Sequence, residues 1–294
     1  MTDPKMMAQI ANGQGFIAAL DQSGGSTPGA LKGYGVDEDA YANEDEMFAA
    51  IHAMRTRIIT SPCFNGNKVI GAILFERTMD GDADGAPVPA ALWARGVVPF
   101  LKVDKGLEDE ADGVKLMKPM PELDALCERA VNKGVFGTKM RSVIERASPT
   151  GIAAIVEQQF AVAAQISAHG LMPIIEPEVS IKSPERAQCD AILRDEILQA
   201  LDAMGEGQVM LKLTLPAEAN LFAPLVDHPR VLRVVALSGG FSRADACAQL
   251  ASNRGMIASF SRALLSDLRH QMSDQEFDGA LGSAIDDIHQ ASVS

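Results

Sequence analysis

The chain has 294 residues, 47% of them hydrophobic, and a formal net charge of −13. The apolar content supports a substantial folded core, and the acidic balance excludes extended binding of nucleic acid or of an anionic membrane, both of which need a basic face. No stretch of eighteen apolar residues and no basic-then-apolar N-terminal layout occurs, so neither membrane insertion nor secretion is expected and the expected location is cytoplasmic. Cys63, Cys127, Cys189 and Cys247 lack C-x-x-C spacing and read as free thiols.

In chain order, short runs rich in β-branched and apolar residues alternate with stretches of helical period. The strand at 16–21 is followed by a helix at 44–58, and the strands at 69–75 and 97–104 by a helix at 122–131. Then come a strand at 136–141, a helix at 150–169, a strand at 171–179 and a helix at 184–204. The series closes with strands at 209–215 and 231–238, a helix at 242–251 and a strand at 256–261. Eight strands alternating with helices over about 250 residues predict an α/β fold of the (β/α)8 TIM-barrel type. An open doubly wound sheet is the alternative, although 21–26 (DQSGGS) lacks the G-x-G-x-x-G spacing of a dinucleotide loop. No linker or composition break divides the chain, so one domain spanning 1–294 is expected.

Charged residues gather at the C-terminal ends of these strands, often two apart and therefore on one strand face. Lys102 and Asp104 close FLKVD, Lys139 and Arg141 close TKMR, and Glu176 and Glu178 close IIEPE. Asp21, Lys212 and Ser238 stand alone at their strand ends, and Arg262 follows ASFS. In a barrel all of these converge on the mouth where active sites lie. Taken one pair at a time they also read as solvated strand ends or internal ion pairs. The cations Lys102, Lys139, Arg141, Lys212 and Arg262 suit a phosphorylated ligand. The turns at Ser23–Gly24–Gly25–Ser26 and Ser238–Gly239–Gly240 add backbone donors for phosphate oxygens. The turn after strand seven and the residue after strand eight occupy the usual barrel phosphate position.

With ALDQSGGSTP, FLKVDKG, TKMR, PIIEPE, LKLTLP, LSGG and ASFSRAL in this order, the chain resembles the class I, Schiff-base fructose-bisphosphate aldolases, particularly their bacterial branch. The resemblance implies that Lys212 is the Schiff-base lysine and Glu176 the acid/base for carbinolamine formation and dehydration. It implies that Asp21 takes the proton from the hydroxyl whose oxygen becomes the aldehyde, with Lys139 and Glu178 around the reacting carbons. Ser238, Gly239, Gly240 and Arg262 would bind the ketone-side phosphate, Ser23, Ser26 and Lys102 the other, and Arg141 would join the phosphate-binding set. The implied substrate is a phosphorylated sugar, with no cofactor and no metal, in glycolysis or gluconeogenesis. Two departures stand out: many eukaryotic relatives end in a proton-shuttling tyrosine, whereas the tyrosines here are Tyr34 and Tyr41, and the Schiff-base strand continues Leu213–Thr214–Leu215–Pro216.

The chemistry needs these groups because cleaving a carbon–carbon bond beside a ketone leaves a carbanion, which a protonated imine accepts as an enamine. A free lysine has a pKa of about 10.4, so partial desolvation and a neighbouring cation such as Lys139 are expected to release a neutral amine. The zinc-enolate alternative needs clustered histidines, and His52, His169, His228, His270 and His289 have no H-x-H or H-E-x-x-H spacing. The segment 80–85 (DGDADG) opens like a calcium loop, but its twelfth position is Ala91 rather than glutamate, so a solvated loop is expected. A transaldolase would share Lys212 and the phosphate site, and a non-catalytic barrel would be expected to have lost positions that are intact here. Whether the chain forms a homo-oligomer is left open.

Overall fold

The structure, a computed structural model describing residues 3–294, is a (β/α)8 barrel. Its strands are β1 (Phe16–Leu20), β2 (Val69–Leu74), β3 (Val98–Lys102), β4 (Gly137–Ile144), β5 (Met172–Val179), β6 (Val209–Thr214), β7 (Val231–Leu237) and β8 (Met256–Ala258). They pair in chain order and in parallel. β1, β2 and β6 are buried at every position. That explains why they read as continuous apolar runs: side chains on one face fill the barrel and those on the other meet helices.

Most predicted elements agree with the structure to within a few residues, including the helices Glu44–Thr60, Leu123–Asn132, Pro149–Ala168, Arg186–Ala203 and Arg243–Ala251. β4 runs longer than predicted, because its end gains an antiparallel partner in Val114–Lys115. β3 and β8 are shorter, so Asp104 and Ser261 stand on the loops beyond them.

Besides shorter helices such as Thr27–Tyr34 and Val88–Ala94, two escaped the pattern. Pro4–Asn12, capped by Asp3, plugs the barrel with Met6 and Ile10 against Ile17, Ile70, Phe100, Ile174 and Val235. Its terminal carbonyls would be orphaned at that buried end. Arg233 on β7 satisfies them, donating to the carbonyls of Ile10, Ala11 and Gly13 at 3.1, 2.9 and 3.0 Å. The other is Asp274–Ser292, opened by a Ser273–Glu276 capping box.

Two seams interrupt the ladder. β5 and β6 exchange pairs only at Ile174–Met210 and Ile175–Leu211. Between β8 and β1 the Ala19 amide donates to the Phe260 carbonyl at 3.1 Å, while the Ala258 amide turns to Ser292 Oγ on the last helix at 3.0 Å. Both seams border the charged residues at the barrel mouth.

Candidate active site

Six charged residues named from the sequence meet at the barrel mouth as one alternating chain of charge. Lys212 Nζ lies 3.0 Å from Glu176 Oε1, and Glu176 Oε2 lies 2.9 Å from Lys139 Nζ. Lys139 Nζ is 2.7 Å from Asp21 Oδ2 and 3.8 Å from Asp104 Oδ2, whose Oδ1 takes Lys102 Nζ at 2.6 Å. The side chains of Lys139, Glu176 and Lys212 are each at most 5% exposed. Buried charges of this kind persist only when paired.

The pairing sets protonation. Burial pushes the Asp21 carboxyl up, but the ammonium groups of Lys139 and Lys212 outweigh it and hold the group below the usual carboxylate range. Burial likewise pulls Lys139 down, and Asp21, Glu176 and Asp104 together lift it well above the ordinary lysine value. Lys139 is therefore a fixed cation whose charge is already balanced by three carboxylates.

The break in the β5–β6 ladder explains how Glu176 and Lys212 are brought to face each other. Beyond Ile175 the strands separate, which strips the Glu176 amide of a ladder partner. Gln159, fully buried on the helix Pro149–Ala168, supplies one: its Oε1 accepts from Glu176 N–H at 2.9 Å while its Nε2 donates to Ser142 Oγ at 2.9 Å. Thr214 Oγ1 rejoins the strands further out by donating to the Val179 carbonyl at 2.8 Å.

The remaining predicted residues surround this cluster without joining it. Arg141 Nε donates to Glu178 Oε2, and the backbone amide of Arg141 donates to Asp104 Oδ2 at 3.2 Å. Glu178 thus pairs with Arg141 rather than with the lysines. Gly239 and Gly240 have φ of 59° and 114°, a region that disfavours side chains. A Cβ on Gly240 would stand 3.3 Å from Arg262 Nη2, and one on Gly239 2.7 Å from Ile181. Ser238, Gly239, Gly240 and Arg262 therefore share one corner of the mouth. Of the five mouth cations, four pair with carboxylates; among the described residues Arg262 has no ion pair or hydrogen-bonded partner. Of the five cations named from the sequence, one is thus left without a carboxylate. After β1, Ser23 and Ser26 form an exposed turn in which Ser23 N donates to Ser26 Oγ at 3.0 Å.

Sequence reasoning passed over Gln159, Gln22 and Arg55. Gln159 carried little signal, being one of three glutamines on its helix beside Gln158 and Gln165. The segment resembling a calcium loop folds as a two-residue-per-strand hairpin, Asp82–Ala83 against Ala86–Pro87, and Asp80 is taken by Lys133 at 3.2 Å and Arg129 at 3.7 Å. His52, His169 and His228 contact the Asp82 carbonyl, Asp124 and Asp202 respectively. No described helix is long and apolar enough to cross a membrane.

Comparison with known proteins gives the family. The family profile described as fructose-bisphosphate aldolase class-I matches residues 5–230. The chain is 56% identical over 290 residues to the class 1 fructose-bisphosphate aldolase of Porphyromonas gingivalis, covering 98% of this chain and 99% of that one. Among solved structures, a fructose-bisphosphate aldolase from Plasmodium falciparum, in a complex with TRAP and a small-molecule inhibitor, superposes with a TM-score of 0.80 at 19% identity. That match covers 98% of this chain and 93% of the other and bears on the fold. The profile match and the near-full-length identity establish that the chain belongs to the class I fructose-bisphosphate aldolases, a family of carbon–carbon lyases.

Proposed function

We propose that the whole chain acts as one catalytic domain that reversibly cleaves fructose 1,6-bisphosphate to dihydroxyacetone phosphate and glyceraldehyde 3-phosphate through an imine on Lys212. The observation that carries this reading is the unbroken sequence Lys212–Glu176–Lys139–Asp21, with spacings of 3.0, 2.9 and 2.7 Å. It provides a nucleophile, an acid/base beside it, a fixed cation and a second carboxylate, all in hydrogen-bond reach.

In this reading Glu176 takes a proton from Lys212, the freed amine adds to the substrate ketone, and Glu176 returns that proton as the carbinolamine hydroxyl departs as water. Asp21, held ionised by Lys139, then removes the proton from the C4 hydroxyl. The C3–C4 bond breaks, its electrons enter the iminium as an enamine, and the C4 oxygen leaves as the aldehyde. Protonation of the enamine carbon and hydrolysis of the imine free the second triose phosphate and Lys212. Arg262 with the Ser238–Gly239–Gly240 turn anchors the ketone-side phosphate, and Ser23, Ser26 and Lys102 face the other. Arg141 and Glu178, neutralised against each other, border the site. Because the iminium serves as the electron sink, the scheme calls for no metal or organic cofactor. It fits a place in glycolysis or gluconeogenesis in the cytoplasm.

The test is an assay of fructose 1,6-bisphosphate cleavage with and without chelator, and with an added aldose acceptor. Free dihydroxyacetone phosphate, formed at a chelator-independent rate, supports the reading. Transfer of the three-carbon unit to the acceptor without its release would indicate a transaldolase instead.

A further inference from the structure

Beneath Asp21 lies a buried arginine that the proposed chemistry does not use. Arg55, on the helix Glu44–Thr60, is 1% exposed, yet no carboxylate among the described residues lies within ion-pair distance. Its Nη1 donates to Thr78 Oγ1 at 2.7 Å. Its Nη2 donates to the Gln22 carbonyl and approaches Gln22 Oε1 at 3.3 Å, while Nε is without a partner. Burial pushes the guanidinium down to about 10, and Asp21 is the charge that opposes this. A buried, unpaired cation is costly to maintain.

Gln22 carries the connection onward. Its Nε2 donates to Ser261 Oγ at 2.5 Å and to the Ala19 carbonyl at 3.3 Å. Ser261 immediately precedes Arg262, so the chain Arg55–Gln22–Ser261 bridges the β8–β1 seam at the mouth. The β8 side is held separately, because Ser259 N–H donates to the Ala236 carbonyl at 2.7 Å. On the β1 side, the grip of Arg55 falls on the residue directly following Asp21.

We propose that Arg55 is a positioning residue: by clasping the Gln22 carbonyl and side chain, and through Gln22 the β8 end, it fixes where the Asp21 carboxylate stands relative to the bond being cleaved. This rests on the roles of Lys212 and Asp21 given above. Imine formation with dihydroxyacetone phosphate uses Lys212, Glu176 and the phosphate corner but not Asp21, so the two steps separate a positioning effect from general damage. A displacement on the order of an ångström at a reacting group costs up to about a hundredfold in rate.

The experiment compares Arg55→Met, Arg55→Lys, Gln22→Leu and the Arg55→Met/Gln22→Leu double variant. Two rates are measured for each: kcat for fructose 1,6-bisphosphate cleavage, and borohydride trapping of the Lys212 imine with dihydroxyacetone phosphate. Gln22 is half-buried, so its variant tests the same link should Arg55→Met fail to fold. Expected are a loss of about ten- to a hundredfold in kcat, imine trapping within about twofold of the unmodified protein, and partial recovery in Arg55→Lys. The double variant should be no worse than the more impaired single one, since both break one unit. Parallel loss of cleavage and trapping, or unchanged cleavage in Gln22→Leu, overturns the proposal. No adduct even in the unmodified protein would instead sink the imine reading on which it rests.

Discussion

Lys212 Nζ stands 3.0 Å from Glu176 Oε1, at the point where the ladder between their two strands gives out. The pairing leaves one carboxylate as the nearest group able to take up or deliver a proton at the lysine nitrogen. Glu176→Gln keeps the shape and removes the acid/base. Imine formation, followed as the rate of borohydride-trappable adduct, is expected to fall by about a hundredfold or more, while KM for the bisphosphate changes little because the phosphate anchors persist. An unchanged rate removes Glu176 from this role.

Lys139 balances three carboxylates at once. Lys139→Met leaves Asp21, Glu176 and part of Asp104 buried without their shared cation, which is expected to cost about 3–5 kcal/mol in urea unfolding at pH 7. Such a variant regains part of the loss near pH 4, where the freed carboxylates can take protons. A variant as stable as its parent at pH 7 would show that the charges rearrange with ease.

Arg262 is the mouth cation not neutralised by the protein, and it stands beside Gly240. Arg262→Ala is expected to raise KM for fructose 1,6-bisphosphate by about tenfold or more, since a charge-assisted hydrogen bond contributes roughly 1.5–3 kcal/mol. Steady-state kinetics at constant ionic strength check this. Loss of kcat with KM preserved would place Arg262 in the chemical step instead.

Asp190 gives a pH signature away from the chemistry. It is fully buried, accepts from the Ala217 amide at 2.9 Å and has no partner at Oδ1. Burial raises its pKa from 3.8 to about 6, with the Ala217 hydrogen bond and Arg186 opposing. Between about pH 4 and 6 the folded state keeps a proton that the unfolded chain has released, so stability falls across that window and the deficit stays constant above it. Asp190→Asn keeps the acceptor without the charge. It is expected to match its parent near pH 4 and exceed it by about 2–3 kcal/mol above pH 7. A difference in melting temperature that does not vary with pH would contradict this.

Much of the barrel and its mouth was legible because two simple patterns carry them. Strands buried on both faces read as apolar runs, and polar residues at their C-terminal ends mark one face of the barrel. The plug helix Pro4–Asn12 was missed because its anchorage comes from Arg233, more than two hundred residues away. Arg55 was illegible for a similar reason. A basic residue on an amphipathic helix reads as solvated, and only the fold turns it inward beneath Gln22. The pairing of Arg141 with Glu178, and the neutralisation of four mouth cations, likewise depend on strand register that local sequence does not specify.

The most direct test of imine catalysis by Lys212 is borohydride reduction in the presence of dihydroxyacetone phosphate, followed by peptide mass spectrometry, with Lys212→Ala alongside. A single reduced adduct on Lys212, lost in the variant together with cleavage activity, is expected. An adduct on Lys102 or Lys139, or none under conditions where cleavage proceeds, would contradict it.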